Sequence, residues 1–169
     1  KIGSSAFCRC YSLTSITIPD SVTKIGDSAF EGCTSLTSIT IPDGVKEIPY
    51  NAFNICTSLT SVTIPNSVTR ICQCAFCHCT SLKLITIPDS VTAIGKWAFG
   101  WCDYFTIVFG GTRAQWDSLD VDISVCCTVK CCKVQPSKQN NFVIGNDVLI
   151  DGKDCSGDVI IPDSVTKIH

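Results

Sequence analysis

Methionine is absent from the 169 residues, only two histidines occur, and Lys plus Arg number 13 against 15 Asp plus Glu. No basic run occurs anywhere, so the positive field that holds a phosphate backbone is missing and nucleic acid is not expected as a partner. No apolar stretch reaches the roughly 20 residues that cross a bilayer, and no basic start followed by an apolar run reads as a signal peptide. The missing Met at position 1 and the opening Lys1-Ile2-Gly3, which begins in mid-pattern, lead us to expect a mature piece of a longer precursor. Two histidines also leave few general bases. His169 is terminal, and Cys77 and His78 are adjacent, so in extended chain their side chains point to opposite faces and share no proton. We find no catalytic constellation and expect a chain that is not an enzyme.

What the sequence does hold is periodicity. Ala-Phe recurs at 6/7, 29/30, 52/53, 75/76 and 98/99, each step being 23 residues. Cysteine follows each Phe by three places (Cys10, Cys33, Cys56, Cys79, Cys102), and a large apolar residue follows three later (Leu13, Leu36, Leu59, Leu82, Phe105). Next come Ile16, Ile39, Val62, Ile85 and Val108, then Ile18, Ile41, Ile64 and Ile87, each of the latter followed by proline. Val22, Val45, Val68 and Val91, with Ile25, Ile48, Ile71 and Ile94, complete the unit.

Within a unit, Thr14 to Ile18 alternates polar and apolar and is rich in β-branched residues, the pattern of a half-buried strand. One short strand per coil predicts a parallel sheet. Proline ends the strand because it cannot donate to the ladder, and Pro-Asp-Ser is good turn chemistry. The Val-x-x-Ile segment predicts a second, shorter extended stretch. Ala-Phe-x-x-Cys has room only for a tight turn or a single helical turn. One coil cannot bury its own apolar face, whereas about five stacked coils enclose a continuous column. The fold expected is therefore a mainly β, or α-β, solenoid.

The pattern Leu-x-x-Ile-x-Ile-Pro-x-x-Val-x-x-Ile-x-x-x-Ala-Phe-x-x-Cys resembles the BspA-like leucine-rich-repeat family of bacterial and some protist surface proteins. The resemblance implies a right-handed leucine-rich-repeat solenoid, a secreted or cell-surface location, and adhesion. It covers residues 1 to about 102, and we expect the array to occupy 1–108 as five coils. Residues 109–140 resemble the degenerate closing segment of such arrays, with Trp116 plugging the open end. Residues 141–169 resemble the start of a further array packed in the same solenoid. From Pro88 to Pro162 is 74 residues, three periods plus five, so the intervening region is irregular.

The 14 cysteines divide into groups. Five occupy the core column, where Cys acts as a small hydrophobe, and free thiols are expected there. Cys126, Cys127, Cys131, Cys132 and Cys155 lie in the irregular region, where covalent closure gains most, and are disulfide candidates. Cys74-Ala75-Phe76-Cys77-His78 matches the spacing of c-type haem attachment, and Cys72, Cys74, Cys77 and His78 could supply four soft ligands to zinc. Against both, Ala75 and Phe76 are already dictated by the repeat. No cofactor is expected.

The outward strand positions Ser15, Thr17, Ser38, Thr40, Ser61, Thr63 and Thr86 form a regular hydroxyl array, interrupted at Leu84. Such a ladder resembles those of ice-binding solenoids, although Thr is also simply a good exposed strand residue. Asp20, Asp43, Asn66 and Asp89 form a column that could hold calcium, but their place after proline is better explained by turns. The leading expectation is binding of a protein or glycan at a cell surface through the sheet face. The rival is a structural subunit stacking head to tail into a filament, because Ile168 of one copy flows into the phase of Ile2 in the next.

Overall fold

The computed structural model describes residues 1–119, 121, 127–133, 144–145 and 147–148. Each coil carries two short extended segments, and each segment stacks on its copy in the next coil. On one side, β1 (Ser38–Thr40) pairs in parallel with β3 (Ser61–Thr63), Ser38 opposite Ser61 and Thr40 opposite Thr63. On the other, β2 (Glu47–Ile48), β4 (Arg70–Ile71) and β6 (Ala93–Ile94) form a three-stranded parallel sheet in which Ile48, Ile71 and Ile94 share one row. Partners differ by 23 positions, so the sequence period is the rung spacing of the stack. The first coil contributes no assigned strand over 14–18; its link to the next coil there is the Thr37 N–H donating to the Thr14 carbonyl at 3.3 Å.

Phe30, Phe53 and Phe76 are fully buried, as are Leu36, Leu59 and Leu82 and the thiols of Cys33, Cys56 and Cys79. The Phe rings form one continuous stack from Phe7 to Phe99, with centroids 5.1, 5.3, 5.4 and 5.7 Å apart and planes within 7°. Stacking satisfies the backbone as well as the core. Phe30 N–H donates to the Ala52 carbonyl at 2.9 Å, and Phe53 N–H to the Ala75 carbonyl at 2.8 Å. Threonine hydroxyls add a second set of rungs, Thr60 Oγ1 donating to the Thr37 carbonyl at 3.1 Å and Thr92 Oγ1 to the Thr69 carbonyl at 3.3 Å. Each Pro-x-x-Val closes a turn through the Val N–H, at 2.9 Å for Val22 to Pro19 and 3.0 Å for Val45 to Pro42. Asp20, Asp43, Asn66 and Asp89 are exposed within these turns.

The Ala-Phe-x-x-Cys corner is a run of tight turns rather than a helix. Two residues per coil take left-handed backbone: Ser5, Ser28, Asn51, Cys74 and Trp97 in one column, and Arg9, Gly32, Ile55, His78 and Trp101 in the other. Only Gly32 is the residue type that adopts this conformation without steric cost. In the first four coils the others are held there by bonds to the next coil, such as Ile55 N–H to the Cys77 carbonyl and His78 N–H to the Gly100 carbonyl, both 2.8 Å.

One expected column is displaced. The fixed period sets Val108 in the row of Ile85, but β7 (Phe105–Thr112) pairs with β5 (Leu84–Ile87) so that Ile85 faces Ile107 and Ile87 faces Phe109. The repeat shortens by one residue after Phe105, because Phe105, Ile107 and Phe109 alternate inward and present the bulkiest apolar set to the core. β7 also crosses position 108, so the sheet does not end with the regular repeats. It pairs in parallel with β8 (Cys127–Lys133), Phe105 opposite Cys127 and Phe109 opposite Cys131.

Between them, α1 (Arg113–Asp117) is opened by a capping box of Thr112 and Gln115. It presents buried Trp116 edge-on to Phe109, with centroids 5.4 Å apart. Beyond β8, only the two-residue strands β9 (Ile144–Gly145) and β10 (Asp147–Val148), paired antiparallel, are described. The expected further array over 141–169, including the Ile168 register, otherwise lies outside the described residues. Among those residues, no helix is long and apolar enough to cross a membrane.

Candidate functional site

The sheet face is built as the alternation requires. Ile39 and Val62 point into the core while Ser38, Thr40, Ser61 and Thr63 are exposed, and the parallel register sets like hydroxyls side by side. Ser15, Thr17 and Thr86 are exposed in the same columns. Leu84, nearly half exposed, interrupts the serine column, which resumes with Thr106 and Thr128. The threonine column ends differently, in Val108 and then exposed Lys130.

The cysteine ladder stands in the core column as unbridged thiols. Each thiol donates to the carbonyl of the Phe one coil back: Cys33 to Phe7 at 3.1 Å, Cys56 to Phe30 at 3.2 Å, Cys79 to Phe53 at 3.3 Å and Cys102 to Phe76 at 3.2 Å. Burial, chiefly, pushes the Cys56 thiol from its ordinary 9.0 up to about 12 and those of Cys33 and Cys102 up to about 11. Cys10, in the first coil, is exposed.

Cys72, Cys74, Cys77 and His78 do not come together as a set. Cys72 is buried on the Glu47 and Arg70 side of its coil, with its thiol pushed up to about 11 by burial and then by Glu47. Cys77 is buried beside half-buried Cys74, and burial followed by the Cys74 sulfur drives its thiol up to about 12. His78 turns outward and stacks on Trp101, centroids 5.2 Å apart and planes 11° apart. Among the described residues no three His, Cys, Asp or Glu side chains gather into a group that could hold a metal ion. Ala75 and Phe76, within the haem-like spacing, are fully buried in the repeat core. Of the disulfide candidates, Cys127 and Cys131 face inward from β8 and pack against the core. Cys126, Cys155 and the side chain of Cys132 lie outside the described residues.

A feature that periodicity did not single out lies at the corner of the fifth coil. Trp97 and Trp101 occupy the two left-handed columns, with φ of 54° and 53°. Their rings are 6.0 Å apart and tilted by 53°, and Trp101 is 56% exposed. Lys96 Nζ lies 4.5 Å over the Trp97 ring. With His78 on Trp101, this makes a contiguous surface of three rings and a cation, in columns that elsewhere hold Ser5, Ser28, Asn51 and Cys74, and Arg9, Gly32, Ile55 and His78. The only signal in the sequence is that substitution of bulky aromatics into otherwise variable positions.

Residues 1–118 match the family model of the BspA type leucine rich repeat region, in six copies. A leucine-rich cell surface protein from Faecalibacterium prausnitzii A2-165 is similar at 39% identity and a TM-score of 0.68, over 70% of this chain and 31% of its own. The leucine-rich-repeat protein of T. pallidum is 30% identical with a TM-score of 0.60, over 77% of this chain and 65% of its own. A leucine-rich-repeat protein from Bacteroides ovatus shares the fold at a TM-score of 0.58 and 23% identity, over 99% of this chain and 48% of its own. The chain thus spans less than two thirds of each of these structures. No curated protein matches it.

Proposed function

The chain belongs to the BspA-type leucine-rich-repeat family, and from that premise we propose that it is a non-catalytic binding module of a cell-surface protein, using its sheet face as a rigid platform. The observation that carries this reading is the in-register hydroxyl face, Ser38 beside Ser61 and Thr40 beside Thr63, backed by a fully buried core. A surface held by both backbone and side-chain bonds between coils loses little entropy when it binds, which favours recognition over a flexible role. The similarity to a cell surface protein supports the location. Adhesion to a protein or glycan is the activity proposed.

The test is a titration of the purified chain over immobilised mucin, a surface that offers both polypeptide and glycan. Saturable binding by the folded chain, weakened roughly tenfold by the double substitution Thr40→Lys and Thr63→Lys, is the expected outcome. An absence of binding, or binding equal in folded and heat-unfolded samples, contradicts the reading.

A further inference from the structure

We propose that the corner of the fifth coil, formed by His78, Trp97 and Trp101 with Lys96 and Gln73, is a glycan-binding site that takes a pyranose ring against the Trp101 indole. It rests on the reading of the chain as a binding module but is a site separate from the sheet face.

Single exposed aromatics are ordinary on protein surfaces, whereas rings in mutual contact and left in water form a patch. Here the same coil buries Phe99 in the core stack and sets Trp101 outside it, 56% exposed, with half-buried Trp97 against it. Their shape is specific. His78 covers one face of Trp101 in a near-parallel stack, and Trp97 stands at 53° to Trp101, so the two indoles open as a shallow angle rather than close as a pocket. An aliphatic peptide side chain gains most from a concave pocket that strips its water on all sides. A pyranose ring needs only a flat partner: its axial C–H bonds carry partial positive charge and settle on the electron-rich face of an indole.

The rim agrees with that assignment. Lys96, over Trp97, is exposed and supplies an ammonium beside the rings, and exposed Gln73 holds the same column one coil earlier and adds an amide to that edge. Sugar hydroxyls use such groups, whereas an apolar partner would leave them desolvated and unpaired. Nucleobases also stack on aromatic rings, but their recognition draws on a basic groove that tracks the phosphates. The chain carries a net charge of −2, and among the described residues Lys96 is the one cation set on the rings in question.

The experiment is native affinity electrophoresis of the full chain in gels containing hydroxyethylcellulose, xylan, mannan or soluble starch, with oligothymidylate as the nucleic-acid probe. Retardation by at least one polysaccharide is expected, with the affinity reduced roughly tenfold or more by Trp101→Ala and less by Trp101→Phe. Quenching of tryptophan fluorescence by the retarding polysaccharide is expected in the wild-type chain and lost with Trp101→Phe. Retardation that Trp101→Ala leaves unchanged overturns the proposal, as does retardation by oligothymidylate alone. Mobility unaffected by all four polysaccharides also overturns it; if mucin binding persists in that case, the binding-module reading stands and only this site falls.

Discussion

The ring of Phe53 lies parallel to that of Phe30, with 3° between their planes and 5.3 Å between their centroids, although 23 residues of chain separate them. Both are fully buried, so each ring is part of its neighbour's environment. Replacing Phe53 with Ala opens a cavity in the middle of the column and should cost about 3–5 kcal/mol of unfolding free energy, read by urea denaturation. Phe7→Ala, in the half-buried first coil, should cost less than half as much. Equal losses at the two positions would mean that the stack is not what stabilises the chain.

Left-handed backbone at Ile55 is a place where stability can be gained. A β-branched residue in this conformation carries a steric penalty of about 1–2 kcal/mol, and glycine removes it while adding about 0.5–1 kcal/mol of unfolded-chain entropy. Gly32 already occupies the same column one coil earlier, with its N–H donating to the Asn54 carbonyl at 2.7 Å. Ile55→Gly should therefore raise the melting temperature slightly. A clear fall would show that the exposed Ile55 side chain contributes more packing than its position suggests.

Alkaline pH should loosen the fold through its thiols. Burial, the leading cause in each case, raises Cys56 and Cys77 to about 12 and Cys33, Cys72 and Cys102 to about 11, from 9.0. Between these values the unfolded chain gives up protons that the folded chain retains. The stabilisation is thus complete below pH 9 and lost as pH rises toward 11–12. The melting temperature should be flat between about pH 7 and 8 and fall above 9, more gently in Cys56→Ala. A flat profile through pH 11 in the wild-type chain would contradict the buried-thiol account.

Native thiol reactivity should follow the same map. Exposed Cys10, then half-buried Cys8 and Cys74, should be alkylated by iodoacetamide, whereas Cys56 and Cys79 should stay unmodified until denaturant is added. Peptide-level mass spectrometry reads the order directly. Labelling of Cys79 as fast as Cys10 would place the cysteine column at the surface.

The columns from Phe7 to Ile94 were legible in the sequence because every coil has the same length, so identity of position along the period is identity of place in the stack. At Val108 the fixed period fails, because the coil there is one residue shorter and Val108 falls opposite Thr86. The alternation Phe105, Ile107, Phe109 held the information, since strand geometry selects the inward set by twos whatever the longer period says. The parallel pairing of β7 with β8 was hidden for the same reason, in a segment without the Ile-Pro signature. The corner aromatics Trp97 and Trp101 carry no periodic signal, because the corner columns differ from coil to coil, with Ser5, Ser28, Asn51 and Cys74 in one and Arg9, Gly32, Ile55 and His78 in the other. Conversely, the Cys72, Cys74, Cys77 and His78 spacing suggested ligands that the fold then directs apart, because the corner turns carry Cys77 inward and His78 outward.

Proton contacts between phenylalanine rings test the in-register stack most directly. A nuclear Overhauser spectrum of the chain with ring-labelled phenylalanine should link Phe7 to Phe30, Phe30 to Phe53, Phe53 to Phe76 and Phe76 to Phe99 in one unbroken series, as the centroid separations of 5.1 to 5.7 Å require. Cross-peaks that skip a coil, or a series broken between Phe30 and Phe76, would contradict the account.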